Sequence, residues 1–131
     1  MTPARPSRVL YVEDDNDIRE VARLALEALG GYEVCACASG AEALDRAVEF
    51  APDVVLLDVM MPGLDGPQTL VALRMLPGFS GIPVAFMTAR VDDQDRAEYV
   101  ALGADGLIEK PFDPMDLSDA VARVWRGAAR G

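Results

Sequence analysis

Five short apolar runs punctuate this chain at 8–12 (RVLYV), 33–37 (EVCAC), 54–57 (VVLL), 83–87 (PVAFM) and 106–109 (GLIE), their starts 25, 21, 29 and 23 residues apart. Each interval has room for a crossover helix and is too long for a hairpin, so strands joined this way lie parallel. The intervals carry the matching periodicity. Ile18, Val21, Ala22, Ala25 and Leu29 recur on one helical face before Gly30-Gly31 stops the run. A second helix is predicted over 39–49 with Ala43, Leu44, Ala47 and Val48 inward, and a third opens at Gly66-Pro67. A fourth follows an Asp92-Asp93 cap and presents Ala97, Val100 and Ala101. The last is predicted to begin at Asp113-Pro114, cap plus proline, and carries Leu117, Ala120, Val121 and Val124. A short basic tail, 123–131, ends the sequence.

Strands and helices alternating five times predict one α/β domain, a parallel sheet covered by helices on both faces. A length of 131 residues agrees with one domain. The VVLL and VAFM segments are apolar throughout, as central strands buried on both sides must be. In such sheets the working site lies beyond the carboxyl ends of the strands, near the switch in strand order.

Composition removes much of the chemistry that could sit there. The chain has no histidine, which excludes Ser-His-Asp and Cys-His nucleophiles, HExxH zinc sites and a phosphohistidine of its own. Acids outnumber bases by 22 to 12, for a net charge of −10. That field repels phosphate backbones and anionic lipid, so neither nucleic acid nor membrane is expected as a direct partner. Cys35 and Cys37 form a C-x-C with no second pair, and are expected as small buried hydrophobes on one face of a strand. Residues 1–7 hold no apolar leader segment and no apolar run reaches membrane-spanning length. A soluble, cytoplasmic protein is therefore expected.

At the strand ends stand Glu13-Asp14-Asp15 after the first, Asp58 after the third, Thr88 after the fourth and Lys110, the sole lysine, after the fifth. Each has an ordinary reading taken alone. Asp15 suits a helix cap, Thr88 a strand-end hydroxyl serving the backbone, and Lys110 a snorkelling surface cation. Asp58 is harder to dismiss, because a charge directly after VVLL is costly without a partner. Carboxylates crowded together raise one another's pKa unless a cation relieves them, and magnesium takes one or two carboxylates while keeping other positions for water or phosphate oxygens. A hydroxyl and an ammonium opposite would suit a phosphoryl group, with Asp58 as a carboxylate nucleophile.

These residues lie in four ordered motifs, VLYVEDDN at 9–16, LLDVMMPGLDG at 56–66, MTA at 87–89 and GADGLIEKPF at 103–112. With them the chain resembles the receiver domains of two-component response regulators, most closely the stand-alone chemotaxis type. The match spans about residues 7–126, leaving tails at 1–6 and 127–131. The resemblance implies a doubly wound (βα)5 fold with flavodoxin-like strand order 2-1-3-4-5. It further implies Asp58 as phosphoacceptor, with Thr88 and Lys110 completing the catalytic set. Magnesium would be held by Asp14, Asp58, the backbone carbonyl of Met60, and Glu13 through water. The Lys110–Pro111 peptide is expected to be cis. The donor would be a histidine kinase or phosphotransfer protein, and the domain, though no conventional enzyme, would catalyse its own phosphorylation and dephosphorylation. The signal would leave through a downstream protein on the face of the fourth helix, fifth strand and fifth helix, near Trp125 and Arg126, with the protein a monomer or weak dimer.

Some positions depart from the family's pattern or tune it. Leu107 stands where many relatives carry Tyr or Phe, so the aromatic half of the switch is open. Met60 and Arg90 flank the path of hydrolytic water in such domains. A haloacid-dehalogenase-type phosphatase would need an acid two residues beyond its nucleophile, where this chain has Met60. A pseudo-receiver that docks without phosphate is the remaining alternative. Intact Glu13, Asp14, Asp58, Thr88 and Lys110 argue against it, and Leu107 leaves it room.

Overall fold

A computed structural model of the protein describes residues 6–89 and 92–130. The five strands are β1 (Arg8–Val12), β2 (Glu33–Cys37), β3 (Val54–Asp58), β4 (Val84–Thr88) and β5 (Gly106–Glu109). They alternate with α1 (Asn16–Ala28), α2 (Gly40–Phe50), α3 (Gly66–Arg74), α4 (Asp93–Ala101) and α5 (Leu117–Arg130). All pairings are parallel, in the order β2-β1-β3-β4-β5 expected of the flavodoxin-like fold. The order reverses between β1 and β3. Asp58 and Thr88 each occupy the last residue of their strand, one step earlier than the apolar runs suggested.

The alternation of side chains along each strand divides the core in two. Leu10, Val12, Val55, Leu57, Val84 and Phe86 face α2, α3 and the start of the α4–β5 connection, with Ala43, Ala47, Leu70, Leu73 and Tyr99. Val9, Tyr11, Val54, Leu56, Ala85, Met87 and Ile108 face α1 and α5, with Ala22, Leu26, Leu117, Val121 and Val124. Every residue of β3 and β4 is buried, as their unbroken apolar character requires.

Side-chain caps start four of the helices by accepting an orphan backbone N–H: Asp15 from Ile18, Ser39 from Glu42, Asp65 from Gln68 and Asp92 from Asp95. Asp65 and Gln68 bond reciprocally as a capping box. Four helix expectations need correction. Asp113-Pro114 opens a turn in which the Met115 N–H donates to Asp113 Oδ1 at 2.9 Å, and α5 begins only at Leu117. The helix then runs to Arg130, through most of the stretch read as a tail. On α1 and α2 the inward ridges are narrower than expected: Val21, Leu29 and Val48 are exposed while Leu26 is fully buried. On α4, Ala97, Val100 and Ala101 all face solvent, and the one buried residue is Tyr99. This short acidic helix reaches the core through a single ring, which spans a distance that alanine and valine cannot. Of the expected N-terminal tail only Pro6 falls among the described residues, and it is buried.

The edge of the sheet opposite the strand C-termini is tied by charged side chains. Asp53 accepts from the Ser7 and Arg8 backbone N–H groups at 2.8 and 3.0 Å, fastening the start of β1 to the start of β3. Asp105 accepts from the Val84 N–H at 2.8 Å, and Arg74 donates to the carbonyls of Phe79, Ile82 and Gly103.

Gly66, at the start of α3, sits where a Cβ would lie 2.7 Å from the Asp58 carbonyl oxygen and 2.9 Å from the Val59 Cα. Those neighbours are backbone and cannot swing aside. Gly66→Ala is expected to lower stability by about 1–3 kcal/mol through overpacking, measured as a shift of the urea-unfolding midpoint with an unchanged slope.

Candidate functional site

The β1 and β3 strands end side by side at the switch in strand order, and their next residues meet above the sheet. Glu13 and Asp58 are almost wholly buried, at 1% and 5% exposure, while Asp14 faces solvent. Carboxylate oxygens of Glu13, Asp14 and Asp58 all lie within 4.8 Å of one another. Lys110, from the end of β5, reaches across the β4 terminus. Its ammonium donates to Glu13 Oε1 at 2.8 Å and to Asp58 Oδ1 at 3.1 Å. The Lys110–Pro111 peptide is cis, as the resemblance implies. Thr88 closes the far side, buried at the end of β4, and the Lys110 N–H donates to the Thr88 carbonyl at 2.9 Å. Together these side chains line an open cavity of about 310 Å³ with Asp15, Ile18, Val59, Met60, Met87 and Ala89.

The backbone around the acids is held in place. The Glu13 N–H donates to the Cys37 carbonyl at 3.0 Å and the Val59 N–H to the Met87 carbonyl at 3.1 Å, which extends the sheet's ladder one residue past the strands. Arg19 Nη1 donates to the Glu13 carbonyl at 2.7 Å, pinning the acidic turn from the first turns of α1. Asp15 caps α1 through its Oδ1 and is not one of the clustered carboxylates.

Electrostatics at the site follow from burial and crowding. Glu13 is raised above the ordinary carboxylate value, first because it is buried and then because it bonds against Asp58, with Lys110 pulling the other way. For Lys110, burial alone would lower the pKa, but the bonds to Glu13 and Asp58 outweigh it and the net shift is upward. The ammonium is therefore firmly charged. Tyr11 lies buried in β1, its phenol also raised, by burial and then by the Glu13 charge.

Several sequence expectations can be placed directly. Glu13, Asp14, Asp58, Thr88 and Lys110 converge as expected on one edge of the sheet. Met60 lines the cavity with its side chain 81% exposed, too open to seal the site. Leu107 is half-buried and packs on the α2–α3 side of the core. Cys35 and Cys37 are buried with their sulfurs 3.9 Å apart, and burial followed by the neighbouring sulfur pushes the Cys37 thiol up to about 12. Trp125 packs against the α1–α5 core. Arg90 lies outside the described residues. Sequence reasoning missed two participants. One is Arg19, which holds the acidic turn; the other is Tyr99, whose hydroxyl lies 3.4 Å from Thr88 Oγ1. The only signal for Tyr99 was its being the one aromatic in the segment DQDRAEYVA.

The fold and the buried acid–lysine cluster define the class first: a flavodoxin-like α/β signalling domain of the CheY type. Residues 9–122 match the response regulator receiver domain, and the chain belongs to that family of phosphorylation-controlled signalling switches. Chemotaxis protein CheY4 of Vibrio cholerae superposes with a TM-score of 0.84 at 35% identity, over 90% of this chain and 98% of that one. Response regulator Rre1 of Synechocystis is 38% identical over 120 residues, 92% of this chain and 52% of that protein. Transcriptional regulatory protein PrrA of Mycobacterium tuberculosis is 41% identical over 117 residues, 89% of this chain and 48% of that protein. The chain thus spans about half the length of the curated relatives it matches. Among the described residues no helix is long and apolar enough to cross a membrane.

A carboxyl whose pKa is higher folded than unfolded favours folding most at low pH, and that contribution drains away as pH rises through the window between the two values. Glu13 is such a group. Glu13→Gln, which fixes the neutral form, is expected to raise the thermal midpoint of the metal-free protein at neutral pH. It should also flatten the loss of stability as pH rises above the ordinary carboxylate range, as read by calorimetry across pH.

Proposed function

We propose that Asp58 is the phosphoacceptor of this receiver domain and that Thr88 and Lys110 complete the reacting set. The observation that carries this is the Lys110 ammonium held on buried Glu13 and Asp58 at the switch point of the sheet. A carboxylate oxygen of Asp58 attacks phosphorus, the new O–P bond forms, and the donor's P–N bond to imidazole breaks with the leaving nitrogen taking a proton. A histidine kinase or phosphotransfer protein supplies that phosphohistidine, since the chain has no histidine of its own. The charge added at Asp58 draws on the ammonium of Lys110 and on the hydroxyl of Thr88.

The donor set fits a hard divalent cation: three carboxylates with oxygens in mutual reach and no nitrogen or sulfur ligand among them. Magnesium would be held by Asp14, Asp58 and the Met60 carbonyl, with Glu13 acting through water. When bound, it supplies charge neutralisation for the phosphoryl oxygens. The chain's own part is to hold the Lys110 ammonium against Asp58, to exclude bulk water around Glu13, and to aim both acids through the β1 and β3 backbones.

The signal leaves through the α4–β5–α5 face. A groove of about 390 Å³ there is lined by Arg96, Leu107, Glu109, Asp116 and Arg123, a mostly polar surface carrying both charges, suited to a protein partner.

The test is mass spectrometry after incubation with magnesium and acetyl phosphate. The expected result is a gain of about 80 Da, one phosphoryl group, that disappears with chelator and in Asp58→Asn. Persistence of the gain in Asp58→Asn would place the acceptor elsewhere.

A further inference from the structure

Tyr99 is the only residue of α4 that enters the core, and the helix packs more loosely than the other four. Its ring meets Phe86 of β4 edge-on, with centroids 5.3 Å apart and planes at 66°. Its hydroxyl comes 3.4 Å from Thr88 Oγ1, and both residues are buried. One side chain therefore fastens α4 to the sheet and touches the hydroxyl at the site. A separation of 3.4 Å is long for a pair of hydroxyls, whose bonds cluster nearer 2.7–2.8 Å, so this bond is weak and easily exchanged. Leu107 packs on the same side of the sheet and has no hydroxyl with which to compete for Thr88.

We propose that Tyr99 is a positioning residue for Thr88 and the link through which phosphorylation at Asp58 repacks α4. In the unmodified protein the Tyr99 hydroxyl shares the Thr88 hydroxyl. When Thr88 turns to the phosphoryl group, the Tyr99 hydroxyl is left in a buried place without that partner, an arrangement proteins avoid. The ring relieves this by shifting. Because the ring is α4's one anchor in the core, the helix shifts with it. The inference rests on Asp58 being the phosphoacceptor, and it assigns to α4 the aromatic function that Leu107 cannot perform.

Two measurements test it. The protein has three tyrosines, so labelling with 3-fluorotyrosine yields three fluorine resonances, and Tyr99→Phe identifies the one from Tyr99. That resonance is expected to move when acetyl phosphate and magnesium add the phosphoryl group, and to stay in place in Thr88→Ala carrying the same modification. Kinetically, Tyr99→Phe keeps the ring but removes the hydroxyl that Thr88 meets, so phosphorylation by acetyl phosphate is expected to quicken roughly two- to fivefold, the equivalent of one weak hydrogen bond. In a Thr88→Ala background the same substitution is expected to change nothing, whereas a purely structural ring would act equally in both. A Tyr99 resonance that stays fixed while the mass rises by about 80 Da overturns the inference and leaves Asp58 as acceptor. No gain in mass overturns both.

Discussion

A single ammonium between two buried carboxylates organises this domain. Glu13 and Asp58 arrive from neighbouring strands, and side by side without relief they would repel at a place where water cannot screen them. Lys110 reaches both, so three strand ends are joined by one charge. The topology makes this possible: the order β2-β1-β3-β4-β5 sets the ends of β1 and β3 adjacent at its switch point, and α1 and α3, which follow them, leave to opposite faces of the sheet. Relief by one positive charge among three acids is partial. The cluster remains anionic, Glu13 remains raised, and an incoming cation meets a site already short of positive charge.

The parts of the fold written in short-range patterns were readable from the sequence. Short, unbroken apolar runs separated by long crossovers define parallel strands, and acidic or hydroxyl caps define where helices begin, so the edge carrying Glu13, Asp58, Thr88 and Lys110 was legible in the sequence. Placing Asp58 and Thr88 on the strands' last residues needed the ladder itself, since an apolar run does not reveal where its hydrogen bonds end. The helices were less legible on their faces than in their existence. Small residues such as Ala97 and Ala101 look apolar in a pattern yet bury little, whereas Tyr99 carries the contact alone. Its proximity to Thr88 depends on how far α4 stands from the sheet, and spacing along the chain contains no measure of that distance.

Arg19 illustrates a different gap. A guanidinium six residues from the carbonyl it serves is one of eleven arginines, and nothing in its neighbours marks it out. The lone lysine was conspicuous because the composition made it so. Its role beside Glu13 and Asp58 could be read from its position at the end of β5, whereas a backbone carbonyl as partner leaves no trace in sequence.

The ties at the opposite edge, Asp53 on the start of β1 and Arg74 with Asp105 bracing the entries to β4 and β5, give the sheet unequal ends. One end is knotted through backbone amides and carbonyls that no change of charge at Asp58 can reach. The other is closed by side chains able to trade partners. On the role proposed for Tyr99, a rearrangement at the acids would be taken up by the loosely seated α4 and not by splaying of the strands. The domain thus behaves less like a spring than like a tuning fork, gripped at the stem and free to answer only at the tips.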